Sequence, residues 1–280
     1  MLETQNLPIA LFDSGVGGLT VLRTIQQQLP QESILYFADT ARLPYGSRSP
    51  ETILQFVREI MDWLTAEGVK MVIMACNTSS ALALEAVRAE YKLPILGLIL
   101  PGAQAAVKQG KNIGVIATSA TISSNAYSLA IQEIERSTQV WQVACPEFVP
   151  LIENNQIHSS YTKLVAEKYL RPLIQKQIDT LIYGCTHYRH LEGVFRAILP
   201  PSVNIVDPAE SIAIAAEREL RLMGLKNNRA VLPTRFCVSG SVEQFAQLSQ
   251  QWLGFCPQVE KIRLKTRSTR EVTLESSEGI

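Results

Sequence analysis

The chain has 280 residues, of which 46% are hydrophobic and 19% charged, with a formal net charge of +0 and five cysteines. Its balanced charge does not favour nucleic acid or an anionic membrane as the main partner, and it has neither a membrane-length apolar run nor a signal-peptide pattern. Five cysteines do not suggest a disulfide framework, so we expect a cytoplasmic protein with free thiols.

Short β-type runs alternate with helix-type runs from the N-terminus onward. The first strand-like runs are IALF, SILYFA and KMVIMA, and each precedes an amphipathic run. After the strand-sized apolar run at 94–100, the alternation continues with NIGVIAT and DTLIYG. Parallel strands are buried on both faces and therefore have continuous apolar sequences. The pattern predicts an α/β fold with mainly parallel sheets.

Two proline-bearing segments, 97–104 and 204–211, are typical of crossings between two halves of a chain. The sequence TRFCVSGSVEQFAQLSQQWLG then adds one more strand, loop and helix, which indicates a discontinuous first domain. We predict a first domain of residues 1–100 plus 209–265, a second domain of residues 101–208, and a polar tail of residues 266–280.

The two predicted halves share an order of features. A polar loop opens at Asp13 after one strand and at Thr118 after another, and each loop precedes a strand-end cysteine, Cys76 or Cys185, at a similar interval. This repetition predicts two pseudosymmetric, doubly wound domains. Open parallel sheets bind ligands beyond the carboxyl ends of their strands, so we expect the active site in the cleft between the domains.

Cys76 and Cys185 also precede predicted helices, for which we expect Asn77, Thr78 and Thr186 to act as caps. Free backbone N–H groups at a helix start favour a thiolate and can bind a carboxylate. A single strand-end cysteine is more often structural than catalytic. Two thiols facing one cleft could remove a proton from a carbon atom and return one to its opposite face, which inverts the stereochemistry.

The remaining polar residues allow several interpretations. The loop DSGVGGLT does not match the nucleotide-binding glycine motifs, and we interpret Asp13 as a partner for an ammonium group. The segment 44–46 predicts a turn over the cleft, and Asp39 is either a cap or a residue that orients a catalytic group. His187 is too isolated for a metal site and is placed to tune Cys185.

Other histidines, cysteines and acids give no such signal. The spacing of Glu153 assigns it no role. We expect three further cysteines to be inert in apolar surroundings: Cys145, Cys237 and Cys256.

Five motifs together resemble the glutamate racemases of bacterial peptidoglycan synthesis, in the aspartate/glutamate racemase family. They are FDSGVGGLTV, YFADTARLPYG, ACNTSSALAL, YGCTHY and VDPAESIA. The match runs in order over roughly residues 9–254, with both cysteines in register. One departure is Leu100, where many members of the family carry an acidic residue.

The resemblance implies a racemase of L- and D-glutamate that uses no cofactor and no metal, feeds cell-wall synthesis and forms a homodimer. It implies that Cys76 acts on the D-isomer and Cys185 on the L-isomer. The substrate-binding residues that it implies are Asp13, Ser14, Tyr45, Gly46, Asn77, Thr78, Thr118, Thr121, Thr186 and His187. The residues that it implies assist the thiols are Asp13, Asp39, Glu153 and His187.

Several alternatives remain open from the sequence. A racemase for aspartate or a hydantoin would share the architecture. A cysteine hydrolase would need only one essential thiol, and an amino-acid-binding module would need none. A pyridoxal-phosphate racemase is disfavoured because no lysine occupies the predicted strand ends.

Overall fold

The computed structural model describes residues 4–266. Within that range ten strands form two separate sheets, and every pair of neighbouring strands is parallel. This confirms the predicted α/β class with parallel sheets. None of the helices in the described range is both long and apolar enough to cross a membrane.

The strands alternate with helices along the chain. The strands are β1 (Ile9–Asp13), β2 (Ile34–Ala38), β3 (Met71–Met74), β4 (Ile95–Gly97), β5 (Asn112–Ala117), β6 (Gln139–Ala144), β7 (Thr180–Gly184), β8 (Asn204–Val206), β9 (Arg235–Val238) and β10 (Val259–Lys261). The helices are α1 (Leu19–Gln28), α2 (Pro50–Glu67), α3 (Asn77–Glu90), α4 (Ile99–Gln109), α5 (Ser119–Ser123), α6 (Ala126–Ile134), α7 (Phe148–Glu153), α8 (Ser160–Gln175), α9 (Glu192–Ile198), α10 (Pro208–Leu222) and α11 (Val242–Leu253).

Local sequence sets the helix ends, as α2 illustrates. Ser49 precedes it in an extended conformation, and its hydroxyl accepts a hydrogen bond from the Thr52 N–H at 3.3 Å. Pro50 occupies the first helical position, where no intrahelical N–H bond is required. Gly68 ends the helix with a φ of 73°, a left-handed conformation that favours glycine.

The two sheets share a strand order. The first sheet runs β10-β9-β2-β1-β3-β4, and the second runs β6-β5-β7-β8. The four strands β2-β1-β3-β4 of the first sheet therefore correspond, in that order, to β6-β5-β7-β8, which make up the whole second sheet. In such an order the connections reverse direction between β1 and β3, and again between β5 and β7, and ligands bind at these reversals.

Buried apolar residues hold each sheet. All five residues of β1, of β2 and of β7 are buried, as expected for central parallel strands covered by helices on both faces. Helices α4 and α10 pack against each other at the junction of the two sheets. Their approach is close at Gly102, where an added Cβ would lie 3.0 Å from Cγ of Pro208.

We propose a first domain of residues 1–100 plus 209–265 and a second domain of residues 101–208, because the strands of the first sheet come from both ends of the chain. The proposed tail, 266–280, lies outside the described residues except for Thr266.

The apolar run at 94–100 is not one strand. It divides into β4, which ends at Gly97, and the first turn of α4. Pro101 fits that turn because the first N–H groups of a helix have no intrahelical partner. The strand β10 was not predicted from the sequence. Its three residues, VEK, are largely exposed at the sheet edge and show no apolar run.

Candidate active site

A cavity of about 400 Å³ lies beyond the carboxyl ends of the strands, between the two sheets. Cys76 and Cys185 both line it, so the structure brings the two predicted thiols to one chamber. The other residues lining it are Asp13, Ser14, Leu43, Pro44, Tyr45, Gly46, Ser47, Asn77, Thr78, Thr118, Ser119, Cys145, Pro146, Val149, Pro150, Glu153, Asn154, Thr186 and His187.

Each cysteine occupies the junction between a strand and a helical turn. Cys76 has extended backbone angles and precedes α3, and Cys185 does the same before the 3-10 helix Thr186–Leu191. The predicted caps are therefore wrong: Asn77 and Thr186 are the first helical residues, Thr78 is the second residue of α3, and the cysteines hold the capping position. No side chain caps either helix.

Cys185 is the first of an array of three side chains in successive contact. Its Sγ lies 3.8 Å from Nδ1 of His187, and Nε2 of His187 lies 3.2 Å from Oε1 of Glu153, at the end of α7. Burial lowers the pKa of His187. The hydrogen bonds to Cys185 and Glu153, together with the charges of Cys185 and Asp13, outweigh this effect and raise the pKa well above its usual value. The array therefore favours an imidazolium beside Cys185.

The loop after β1 packs directly on this imidazole. A Cβ added to Gly17 would lie 2.3 Å from Nδ1 of His187, so only glycine allows the backbone to approach this closely. The same loop holds Asp13, whose carboxylate accepts hydrogen bonds from the N–H of Ser14 at 2.7 Å and from the N–H of Gly18. The loop thus connects the surroundings of the two thiols.

The Cys76 thiol has a different environment. Burial raises the pKa of Cys76 to about 12, the charges of Asp13 and Cys185 add to the increase, and hydrogen bonds from Ser79 oppose it. A helix start favours a nearby anion by only about 0.3–1 kcal/mol. This is too little to offset the effect of burial on the pKa of Cys76. Burial also raises the pKa of Asp13, and the charge of His187 and two backbone hydrogen bonds counteract this. Cys76 therefore carries its proton at neutral pH.

Polar contacts join the two halves beside the thiols. The hydroxyl of Thr78 lies 2.9 Å from that of Thr118 and 3.2 Å from that of Thr121. The Tyr127 hydroxyl donates to Oδ1 of Asn77 at 2.6 Å. Among the described residues, Nδ2 of Asn77 is buried and has no hydrogen-bond partner, and Asn77 is one of the residues that line the cavity.

Two predicted site residues lie behind the wall instead of lining it. Thr121 supports Thr118 at 3.0 Å between hydroxyl oxygens. Asp39 is fully buried, and its carboxylate accepts a hydrogen bond from the hydroxyl of Tyr45, which does line the cavity. A Cβ added to Gly46 would lie 2.7 Å from Cβ of Thr118, so this segment closes against the other half.

The segment after β6 contributes lining residues that the sequence did not identify. Cys145, expected to be inert in apolar surroundings, borders the cavity. Pro146, Val149 and Pro150 form an apolar wall next to it. The strand-end rule could have located this segment, because β6 neighbours β5 in the sheet. Of the other two cysteines, Cys237 is buried as expected, whereas Cys256 is exposed.

The sequence and fold match known proteins along most of their length. Residues 16–216 match the Asp/Glu/Hydantoin racemase family. A glutamate racemase of Gloeothece citriformis is 65% identical over 275 residues, which is 98% of this chain and 99% of that protein.

Two solved structures resemble the fold closely. A glutamate racemase isoform of Bacillus anthracis superposes with a TM-score of 0.91 at 38% identity, covering 94% of this chain and 100% of that one. A Francisella tularensis glutamate racemase in complex with D-glutamate gives a TM-score of 0.89 at 35% identity, with coverage of 94% and 100%.

Proposed function

The chain belongs to the Asp/Glu/Hydantoin racemase family and is an isomerase, and from that premise we propose that it interconverts L-glutamate and D-glutamate by a two-base mechanism without a cofactor. In this mechanism Cys76 and Cys185 act on opposite faces of the α-carbon. Other members of the family act on aspartate or hydantoins, so the choice of glutamate follows the 65%-identical relative.

One observation carries the proposal: two thiols from topologically equivalent strand ends line the same cavity. In a two-base racemisation the acid and the base exchange roles when the substrate enantiomer changes, so one proton-transfer group is needed on each face. A hydrolase would use one nucleophile and would gain nothing from the second. A binding module would not require either thiol.

The unequal environments of the thiols support an assignment of roles. For L-glutamate, the Cys185 thiolate removes the α-proton, and the Cys76 thiol gives its own proton to the opposite face. The high pKa of Cys76 favours its protonated form as the acid of this step. His187, charged and held by Glu153, stabilises the anionic form of Cys185. For D-glutamate the same two transfers run in reverse.

The cavity wall offers matching partners for the charged groups of an amino acid. The amide nitrogen of Asn77 has no hydrogen-bond partner among the described residues, and the helix starts at Asn77 and Thr186, which lack a side-chain cap, offer backbone N–H groups for carboxylates. Asp13 lines the same cavity and provides negative charge for an ammonium group. We assign substrate contacts to these residues and to Ser14, Tyr45, Gly46, Thr78, Thr118 and His187, with Thr121 and Asp39 acting from behind.

We further propose that the protein is a cytoplasmic homodimer whose D-glutamate supplies peptidoglycan synthesis. These assignments rest on the resemblance to bacterial glutamate racemases.

The function is tested with purified protein and no added cofactor. Each enantiomer of glutamate, of aspartate and of a 5-substituted hydantoin is incubated separately, and chiral chromatography measures the opposite enantiomer. The proposal predicts that both glutamate enantiomers interconvert and that aspartate and the hydantoin react at least about 100-fold more slowly, because a misplaced carboxylate leaves buried polar groups unpaired. Faster conversion of aspartate or the hydantoin would reassign the substrate, and no conversion of any compound would contradict a racemase.

A further inference from the structure

The loop at the end of β9 contacts the back of the active-site wall. Ser239 follows β9, and its hydroxyl donates to Oδ1 of Asp39 at 2.7 Å. The same Ser239 oxygen accepts a hydrogen bond from the N–H of Ala41 at 3.0 Å. Next to it, the Gly240 N–H donates to the hydroxyl of Thr40 at 3.1 Å. These bonds attach the C-terminal strand to the 3-10 helix Thr40–Arg42.

Asp39 transmits this attachment to the cavity. Its other oxygen, Oδ2, accepts hydrogen bonds from Nε of Arg42 at 2.6 Å and from the hydroxyl of Tyr45. The carboxylate is fully buried, so its position depends on these donors instead of on water. Without Ser239, Oδ1 would lose its hydroxyl donor, and the orientation of the carboxylate toward Tyr45 would depend on the hydrogen bonds to Oδ2 alone.

We propose that Ser239 is a positioning residue, which acts through Asp39 to hold Tyr45 and Gly46 in the substrate-binding wall. Ser239 does not line the cavity and carries no proton in the reaction. Its role therefore concerns substrate affinity instead of proton transfer, and it rests on the proposed racemase function. This proposal also connects β9 to the site, because β9 pairs with β2 and β2 ends next to Asp39.

The test compares Ser239→Ala, Ser239→Thr and Ser241→Ala in glutamate racemisation. Ser239→Ala removes a hydrogen bond to a charged group, and we expect KM to rise about fivefold to tenfold while kcat stays within about twofold. Ser239→Thr retains a hydroxyl, and we expect it to restore KM to within about twofold of the native value. These two variants separate the hydroxyl group from the general packing of the segment.

Ser241→Ala is the matched control. Its hydroxyl accepts a hydrogen bond from the Gln244 N–H at the start of α11 and does not contact Asp39. We expect this variant to lower Tm without changing KM. An unchanged KM in Ser239→Ala, a KM that Ser239→Thr does not restore, or an equal rise of KM in Ser241→Ala would each overturn the proposal. If the native protein converts neither glutamate enantiomer, the racemase assignment fails first.

Discussion

Cys76 and Cys185 occupy equivalent positions in the two halves of the chain, because Cys76 follows β3, Cys185 follows β7, and these strands hold the same place in their sheets. The side chains next to the two thiols, however, are different. Cys185 has a hydrogen-bonded imidazole beside it, whereas Cys76 faces the Asp13 carboxylate. A symmetric scaffold thus holds two thiols with different neighbouring side chains.

Replacing either thiol should abolish most of the activity. We expect Cys76→Ser and Cys185→Ser each to lower kcat about 10³-fold, since a serine hydroxyl is a much weaker acid than a thiol and therefore neither donates its proton as readily nor ionises to a base near neutral pH. Cys256→Ser is the control, because Cys256 is exposed and outside the cavity. Racemisation assayed by circular dichroism measures the effect. Near-native turnover in either active-site variant would contradict two-base catalysis.

The charged form of His187 should make the stability of the protein depend on pH. Its folded-state pKa is raised, so its contribution is fully present below the unfolded value of about 6.5 and is lost as the pH rises through the folded value. We expect the Tm difference between native protein and His187→Asn to be largest near pH 6 and to shrink in alkaline solution. Thermal unfolding at several pH values measures it, and parallel Tm curves would exclude this linkage.

The close approach of Gly17 to the imidazole predicts an effect of a single methyl group. Gly17→Ala places a Cβ 2.3 Å from Nδ1 of His187, so the ring or the loop must move. We expect a loss of about 1–3 kcal/mol in the free energy of unfolding and a kcat at least about tenfold lower. Gly193→Ala, in α9 with open space around its Cβ, is the control and should be neutral or slightly stabilising. Equal behaviour of the two variants in urea unfolding and kinetics would refute the steric argument.

Lys70 predicts a large effect on stability far from the cavity. It is buried, and its Nζ donates to the Glu32 carboxylate and to the backbone oxygens of Gln5 at 2.6 Å and Leu225 at 2.8 Å. Lys70→Met leaves Glu32 buried without its cation, and we expect a loss of about 3–5 kcal/mol in the free energy of unfolding.

Two further variants test the explanation for Lys70. The double variant Lys70→Met/Glu32→Gln should lose less than Lys70→Met alone. Lys168→Met breaks an exposed pair with Glu147 and should cost less than about 1 kcal/mol. Urea unfolding compares all three, and a loss from Lys70→Met no larger than that from Lys168→Met would show that the buried pair is unimportant.

The sequence predicts those parts of the site that depend on strand ends. Continuous apolar runs mark β1, β3, β5 and β7, and parallel strands bring their carboxyl ends to one edge. Cys76, Cys185, Asp13 and Thr118 follow directly from that rule. These four residues line one cavity only because the second sheet faces the first. The repeated order of features in the two halves of the sequence indicated this arrangement.

Contacts between distant segments could not be predicted in the same way. Ser239 and Asp39 are 200 positions apart, and nothing in the residues around either one indicates the other. The short run at 94–100 has too few residues for its periodicity to separate a strand from the start of a helix. The predicted caps are wrong because the extended conformation ends at each cysteine, so the helix begins at the next residue, earlier than the cap prediction assumed. The polar residue after each cysteine does not reveal where the extended conformation ends.

Hydrogen exchange at the α-carbon tests the two-thiol mechanism most directly. L-glutamate is converted in heavy water, and proton NMR after separation of the enantiomers gives the deuterium content of each. Because Cys76 carries a solvent-derived deuteron before turnover begins, we predict that D-glutamate forms fully α-deuterated while the unreacted L-glutamate keeps its hydrogen in the initial phase. Retention of the original hydrogen in D-glutamate, or deuterium entering L-glutamate as fast as product forms, would contradict two thiols acting on opposite faces.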